Sequence, residues 1–211
     1  MEGRKVSGAV IRRLPGYYRY LSRLEDEGVM RISSRELGEQ MGLTASQIRQ
    51  DMNCFGGFGQ QGYGYNVPEL RRRMGEILGL DRRYSMAIVG AGKMGRAILG
   101  YDGFREMGFH TVALFDNDPA LIGSTVRGIA VSDVNDMAAV LARTPADIGV
   151  VAVPEEAAQR VCDGLRACGV RAIWNFAPMD LDAGPGVAVG NVHLSDSLMV
   201  LAYALGHMDA Q

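Results

Sequence analysis

Ser85-Met86-Ala87-Ile88-Val89-Gly90-Ala91-Gly92-Lys93-Met94-Gly95 is the stretch that decides the fold of the larger part of this chain. A short apolar run reads as a buried strand, the glycines follow as G-x-G-x-x-G, and a helical stretch continues from Arg96. With a strand before and a helix after, each glycine has a physical task. Gly90 allows a tight turn, Gly92 lets a pyrophosphate approach the backbone, and Gly95 permits close helix–strand packing. The helix N-terminus offers free N–H groups to the phosphates, and Ala91, Lys93 and Met94 of the glycine turn belong to the same cofactor-binding set. A second strand, His110-Thr111-Val112-Ala113-Leu114-Phe115, ends in Asp116, about where an acid that accepts from ribose hydroxyls belongs. Asn117 and Asp118 follow, with no Arg or Lys adjacent. An acid in that setting repels a 2′-phosphate, so NAD(H) is favoured over NADP(H).

Working toward the carboxyl end, Ile129–Val131, Asp147–Val153, Val170–Trp174 and Val187–Val189 read as four further short strands, with a helix from Pro154 to about Cys168. Strands alternating with helices build a doubly wound parallel sheet, the Rossmann type of α/β fold. Ligands in such sheets bind beyond the carboxyl ends of the strands, so Val153, Pro154 and the loop at 175–178 should border the nicotinamide half. A terminal helix over about 194–207 carries Leu194, Leu198, Leu201 and Leu205 at helical spacing. Such a stripe packs either into its own core or, at the edge of a small domain, against a second subunit.

Toward the amino end the pattern changes near residues 79–85. Leu14-Pro15 opens a helix expected over 15–27 and stopped by Gly28. Ser33 or Ser34 caps a second helix that runs up to Gly42, and Thr44-Ala45-Ser46-Gln47 caps a third over 45–53. Ile48 and Met52 then face inward, leaving Ser46, Gln47, Arg49, Gln50 and Asn53 toward solvent, where they can reach base edges or phosphate oxygens. Residues 55–67 alternate aromatic side chains with glycine, as a hairpin with a flexible tip would. A helix-turn-helix followed by a hairpin is a winged helix, whose wing lies along the DNA backbone or dips into the minor groove.

Composition agrees with this division. The 211 residues are 47% hydrophobic and 22% charged, as a globular chain with a real core requires. Residues 1–83 carry 14 Lys+Arg against 10 Asp+Glu, a net of +4; residues 84–211 carry 8 against 14, a net of −6. A basic first part is suited to a polyanion, the acidic remainder is not. No run is long enough to span a membrane, and Met1-Glu2-Gly3-Arg4-Lys5 leads into no apolar region of a secretory signal. Cys54, Cys162 and Cys168 are too few and too irregularly spaced for a disulfide framework or a zinc cage, so a reducing cytoplasm is expected. His110, His193 and His207 form no catalytic pair, and the cysteines have no histidine partner in view. Only about 20 residues follow the sixth strand, too few for a substrate domain. Neither a catalytic residue nor a metal site is expected.

The chain also resembles the Rex family of redox-sensing transcriptional repressors. The resemblance is carried by Arg13-Leu14-Pro15-x-Tyr17-Tyr18-Arg19, Arg31-Ile32-Ser33-Ser34-x-Glu36-Leu37, Gln47-Ile48-Arg49-x-Asp51 and the glycine–aromatic run from Phe55 to Tyr65. In the second part it is carried by Gly90-Ala91-Gly92-x-x-Gly95-Arg96-Ala97, Phe115-Asp116-x-Asp118-Pro119 and Asn175-Phe176-Ala177-Pro178. It implies a winged-helix domain over 1–80, an NAD(H)-binding Rossmann domain over 81–192 and a dimerising, exchanged helix over 193–211. It further implies a homodimer on an inverted-repeat operator, released from duplex DNA by NADH and permitted to bind by NAD+. Tyr101, read near the end of the first Rossmann helix, could reach the cofactor, and it matches a family tyrosine that helps couple cofactor state to dimer closure. The DNA-facing set becomes Arg13, Ser46, Gln47, Arg49 and Gln50, with Gln60, Gln61 and Tyr63 on the wing. Two positions depart from the family: Gln61 stands where the wing usually carries Arg, and Gln50 where a Lys is common. Each removes a cation from the DNA face. The rival readings are an NAD-dependent oxidoreductase dimerised by its amino-terminal helices, and a binder of CoA or ADP-ribose in the same fold.

Overall fold

In the computed structural model, which describes residues 6–56, 59–60 and 63–208, the first of two units (residues 1–82) is built on a helix longer than its sequence announces. Helix α1 (Gly8–Asp26) starts at Ser7, whose side chain accepts the Val10 N–H, so Pro15 stands inside the helix and does not open it. An interior proline loses one hydrogen bond and crowds the carbonyl four residues back, at about 3 kcal/mol. Val10, Leu14, Tyr17, Leu21 and Leu24 form a buried stripe on both sides of it. Each such side chain contributes about 1.5–3 kcal/mol on burial, so the stripe prevails over the proline.

After Gly28, at φ 75°, come β1 (Arg31–Ile32) and α2 (Ser34–Met41). Ser33 caps α2 in a reciprocal box with Glu36, and Gly42 ends it in the left-handed region. Helix α3 (Ala45–Asn53) is capped by Thr44 and Gln47 in the same way. The chain continues through β2 (Gly59–Gln60), β3 (Gly64–Asn66) and α4 (Val67–Ile77). Strands β1, β3 and β2 lie in that order, each pair antiparallel. The expected helix-turn-helix with a trailing hairpin is present, and α1, α2, α3 and α4 close over Leu14, Tyr17, Leu37, Ile48, Met52 and Leu70. Gly57, Phe58, Gln61 and Gly62 lie outside the described residues.

The second unit (residues 83–211) runs β4 (Tyr84–Val89), α5 (Lys93–Leu99), α6 (Asp102–Glu106), β5 (Phe109–Asp116), β6 (Thr125–Val126), β7 (Ile129–Asp133), α7 (Met137–Arg143), β8 (Ile148–Val151), α8 (Glu155–Ala167), β9 (Ala172–Asn175), β10 (Ala188–Asn191) and α9 (Leu194–Met208). The sheet order is β10-β9-β8-β4-β5-β7-β6, and every pair is parallel except β6 with β7. The chain moves outward from β4 through β5 to β7, then returns to β8 on the other side of β4. That reversal puts the topological switch point at the carboxyl ends of β4 and β8.

Two features differ from the sequence reading, and a third removes one of its alternatives. Strand β6 was not expected; a two-residue turn at Arg127 (φ 46°) and Gly128 (φ 84°) folds it back on β7, the double positive φ that a tight hairpin requires. The first Rossmann helix is broken: α5 stops at Gly100, and Tyr101 is the extended residue from which α6 starts. The stripe on α9 is not packed into its own chain. No residue of α9 is buried, and Leu194, Leu198, Leu201, Leu205 and Met208 are 58–72% exposed. Among the described residues no helix is long and apolar enough to cross a membrane.

Candidate functional site

A cleft of about 670 Å³ opens at the switch point, and its walls include Gly90, Gly92, Asp116, Val153 and Pro154. The glycines on its floor are there for different reasons. Gly90 takes φ 104°, and a Cβ on it would lie 2.3 Å from the Ala152 carbonyl oxygen. On Gly95 a Cβ would lie 1.8 Å from the Gly90 oxygen, so α5 can start this close to β4 only without a side chain there. Gly92 has an ordinary φ of −73°, and nothing of the protein lies within 4 Å of where its Cβ would be. Neither backbone strain nor packing demands glycine at 92. The open space beside it would admit a group lying against the backbone inside the cleft, as a pyrophosphate does. Because Gly92 is the N-cap of α5 and brings no capping side chain, Lys93 and Met94 follow it into an uncapped first turn.

Asp116 ends β5 at the rim of the same cleft. Its carboxylate accepts the Ala91 N–H at 2.6 Å, and the Asn117 and Asp118 N–H groups at 2.8 and 2.9 Å. The bond to Ala91 fixes the glycine loop against β5, a second task for Asp116 that its position in the sequence did not announce. A carboxylate has about four acceptor sites, so room remains for a ribose hydroxyl. Donor set, shape and the open face of Gly92 fit a dinucleotide.

Tyr101 is not part of this cleft. It is 58% exposed beside a separate hollow of about 500 Å³, its ring edge-on to Phe104 at 4.6 Å. Phe104 in turn meets Trp174 at 5.3 Å, and Trp174 meets Phe176 at 4.6 Å. The 175–178 loop is likewise absent from the cleft wall and is shaped by Asn175. That buried amide donates to the Met179 carbonyl at 2.6 Å and accepts the Ala177 N–H at 2.9 Å. His193 pairs with Asp180 at 3.0 Å and His207 with the Tyr203 carbonyl at 2.7 Å. No group of His, Cys, Asp and Glu among the described residues is arranged to hold a metal ion.

In the first unit, Ser46, Gln47, Arg49, Gln50 and Asn53 are exposed on α3, as expected, and share a hollow with Arg13. Two of these side chains already have work within the protein. The Gln47 Oε1 accepts the Thr44 N–H at 3.0 Å, and Arg49 donates to the Ser34 hydroxyl at 3.0 Å, tying α3 to the start of α2. Arg13 is more fully engaged: its guanidinium makes a two-point bond to Asp51, at 2.8 and 2.7 Å, and Tyr17 adds a third bond at 2.7 Å. At the wing, Tyr63 is exposed, and Arg31 of β1 donates to its carbonyl at 3.2 Å with its guanidinium 5.8 Å from the ring. Gln60 lies on β2, and Gln61 is outside the described residues. Sequence reasoning missed both Asp51 and Arg31. A signal for Asp51 was available, because it lies three residues after Ile48 and next to Met52, on the inward face.

Burial pushes the Asp51 carboxyl up, but the hydrogen bonds from Arg13 and Tyr17 outweigh it and hold the group below the ordinary carboxylate value. A depressed folded value means the cluster stabilises above about pH 4, where an unfolded Asp is ionised, and fades as pH falls through the folded value. Asp51→Asn is expected to lose about 1–3 kcal/mol at pH 7, with the gap to the unsubstituted chain narrowing in acid unfolding below about pH 3. The glycines give a second expectation. Gly95→Ala should destabilise by more than about 3 kcal/mol, whereas Gly92→Val should leave the unfolding midpoint nearly unchanged yet weaken NADH binding at least about tenfold by fluorescence titration.

Two family profiles match the chain: "Putative DNA-binding protein N-terminus" over residues 5–53 and "CoA binding domain" over residues 81–179. The redox-sensing transcriptional repressor Rex of Clostridium beijerinckii is 53% identical over 207 residues, 98% of each chain. The crystal structure of RSP in complex with β-NAD+ and operator DNA has a TM-score of 0.91 at 51% identity, covering 97% of this chain and 94% of that one. RSP in complex with β-NADH also scores 0.91, at 48% identity over 98% and 97%. Identity of about half over nearly the whole length is found together with the same winged helix and Rossmann sheet, and the chain therefore belongs to the family of redox-sensing transcriptional repressors Rex.

Proposed function

We propose that this chain is a cytoplasmic transcriptional repressor that binds an inverted-repeat operator as a homodimer and is released when NADH occupies the Rossmann cleft. What carries the reading is the presence, in one chain, of an exposed, doubly capped recognition helix and a dinucleotide cleft whose Gly92 the fold itself does not need. Residues 1–80 grip duplex DNA, 81–192 hold NAD(H), and 193–211 dimerise. Gly90, Ala91, Gly92, Lys93, Met94 and Gly95 form the pyrophosphate turn, Asp116 takes the adenosine ribose, and Val153 and Pro154 flank the cofactor. Tyr101, which borders a separate hollow of the single chain, completes the cofactor-binding set and helps couple cofactor state to dimer closure. Ser46, Gln47, Arg49, Gln50 and Arg13 border the DNA face of α3, with Gln60, Gln61 and Tyr63 on the wing. The relatives are named as repressors, and RSP has been crystallised with NAD+, with NADH and with operator DNA, which favours regulation over turnover. CoA, named by one of the matching profiles, carries a 3′-phosphate on its ribose, and a carboxylate at Asp116 would face that phosphate unfavourably.

Bound NADH can alter the DNA grip only by favouring one arrangement of the dimer over another. Couplings of this kind are typically about 1–3 kcal/mol, and reciprocity requires that DNA weaken NADH by the same factor. NADH affinity measured with and without operator duplex should therefore differ by roughly 5- to 150-fold; equal values would overturn the reading. The dimer has its own test. Leu198→Glu with Leu201→Glu is expected to give a light-scattering mass near 22.8 kDa, where the unsubstituted chain gives about twice that. An unsubstituted chain already at 22.8 kDa would remove α9 from dimerisation.

A further inference from the structure

The Asp51 cluster has a place in the DNA reading that its exposed neighbours do not. Asp51 sits on the recognition helix, 2% exposed, and takes both arms of its hydrogen-bonding capacity from α1: two N–H groups of Arg13 and the hydroxyl of Tyr17, itself fully buried. Ile48 and Met52, on the same face, set which side of α3 turns inward, but contacts between apolar side chains define the finer roll of the helix less sharply than directional bonds do. A planar guanidinium meeting a carboxylate at two points is directional, and the Tyr17 bond meets the carboxylate from a third side. Burial and the bond to Asp51 also hold the Tyr17 phenol well above its usual range, so it remains a donor at every working pH.

We propose that Arg13 and Tyr17 are positioning residues that act through Asp51 to fix the rotation of the recognition helix, and so set specificity for operator over other duplex without Arg13 itself neutralising a phosphate. The proposal rests on the DNA-binding reading and makes Arg13 more than one further cation on that face. Rotation of α3 about its axis by even a fraction of a turn would swing Ser46, Gln50 and Asn53 off their base edges. The phosphate attraction of the other basic side chains would persist, because it does not depend on register.

The test uses the full chain with NAD+, the operator duplex crystallised with RSP, and a scrambled duplex of equal length, both titrated over a range of salt. Arg13→Lys, Arg13→Gln, Asp51→Asn and the Arg13→Gln/Asp51→Asn pair are compared with the unsubstituted chain. Each should lose about tenfold or more on operator, with the pair no worse than either single change. Binding to scrambled duplex should stay within about twofold, and the salt slope should be unchanged. Lysine should not rescue, since a point charge cannot reproduce a two-point bond. Tyr17→Phe keeps the ion pair and carries the test should a charge variant unfold, with an expected loss of about threefold confined to operator. Full rescue by Arg13→Lys, or a salt slope reduced by about 0.9 in Arg13→Gln while Asp51→Asn binds normally, would make Arg13 a phosphate contact and overturn the proposal. Absence of salt-dependent binding by the unsubstituted chain would instead overturn the DNA reading itself, and the proposal with it.

Discussion

A carboxylate withdrawn from water has to be given partners, since an unpaired buried charge is disfavoured by several kcal/mol even after relaxation. In the first unit that requirement falls on Asp51, and meeting it links the first helix of the unit to the helix that carries the exposed polar face. The second unit uses the same physics without a charge. Asn175 is fully buried at the end of β9, and its bonds to Ala177, Met179 and Asn191 shape the loop that follows. Among the described residues these are the two buried polar side chains, one in each unit. Each sits where direction matters, because apolar packing sets which face of an element turns inward and hydrogen bonds add a geometric constraint on the finer angle.

The glycine loop separates what a fold needs from what a ligand needs. At Gly90 and Gly95 a methyl group would collide with backbone, so those two are required for β4, β8 and α5 to approach one another at all. Gly92 meets no such demand, and its freedom points outward into the cleft. Asp116 joins the two requirements: by accepting the Ala91 N–H it holds the loop in place, and by standing at the rim it leaves acceptor sites facing the same space. A substitution there would disturb the loop as well as any ribose contact, so loss of binding in an Asp116 variant would not by itself identify one.

Much of this was legible in the residues. Strand, glycine turn, helix and terminal acid are local features, and local propensity agrees with the final structure along β4, α5 and β5. The two capping boxes were readable for the same reason. What was not legible came from long-range packing. Pro15 argued for a helix start, but the buried stripe from Val10 to Leu24 outweighs it. The β6–β7 hairpin turns on Arg127 with positive φ, a conformation that no propensity assigns to arginine. Tyr101 was read as part of a helix and instead separates two short ones. Arg13 is a cation in the sequence and becomes half of a clamp only when Asp51, 38 positions later, is brought beneath it.

Helix α9 shows the same limit from the other side, for the helix read from the sequence forms, yet none of its residues is buried in its own fold. A helix of 15 residues is marginal in water when nothing packs on it. Among the described residues none buries a side chain of α9, and large apolar side chains face outward on more than one side: Leu194, Leu198 and Leu201 with Val200, Tyr203 and Leu205. A helix apolar over so much of its circumference is made to be enclosed, not laid on a flat surface. In a two-fold pair each copy can enclose the other's helix, so one sequence feature is satisfied twice by one operation. An operator built as an inverted repeat has that same symmetry, with half-sites about 34–36 Å apart. Whatever changes how the two helices are enclosed therefore changes that spacing, which is why, in the reading proposed, a cofactor need not approach the DNA to govern it.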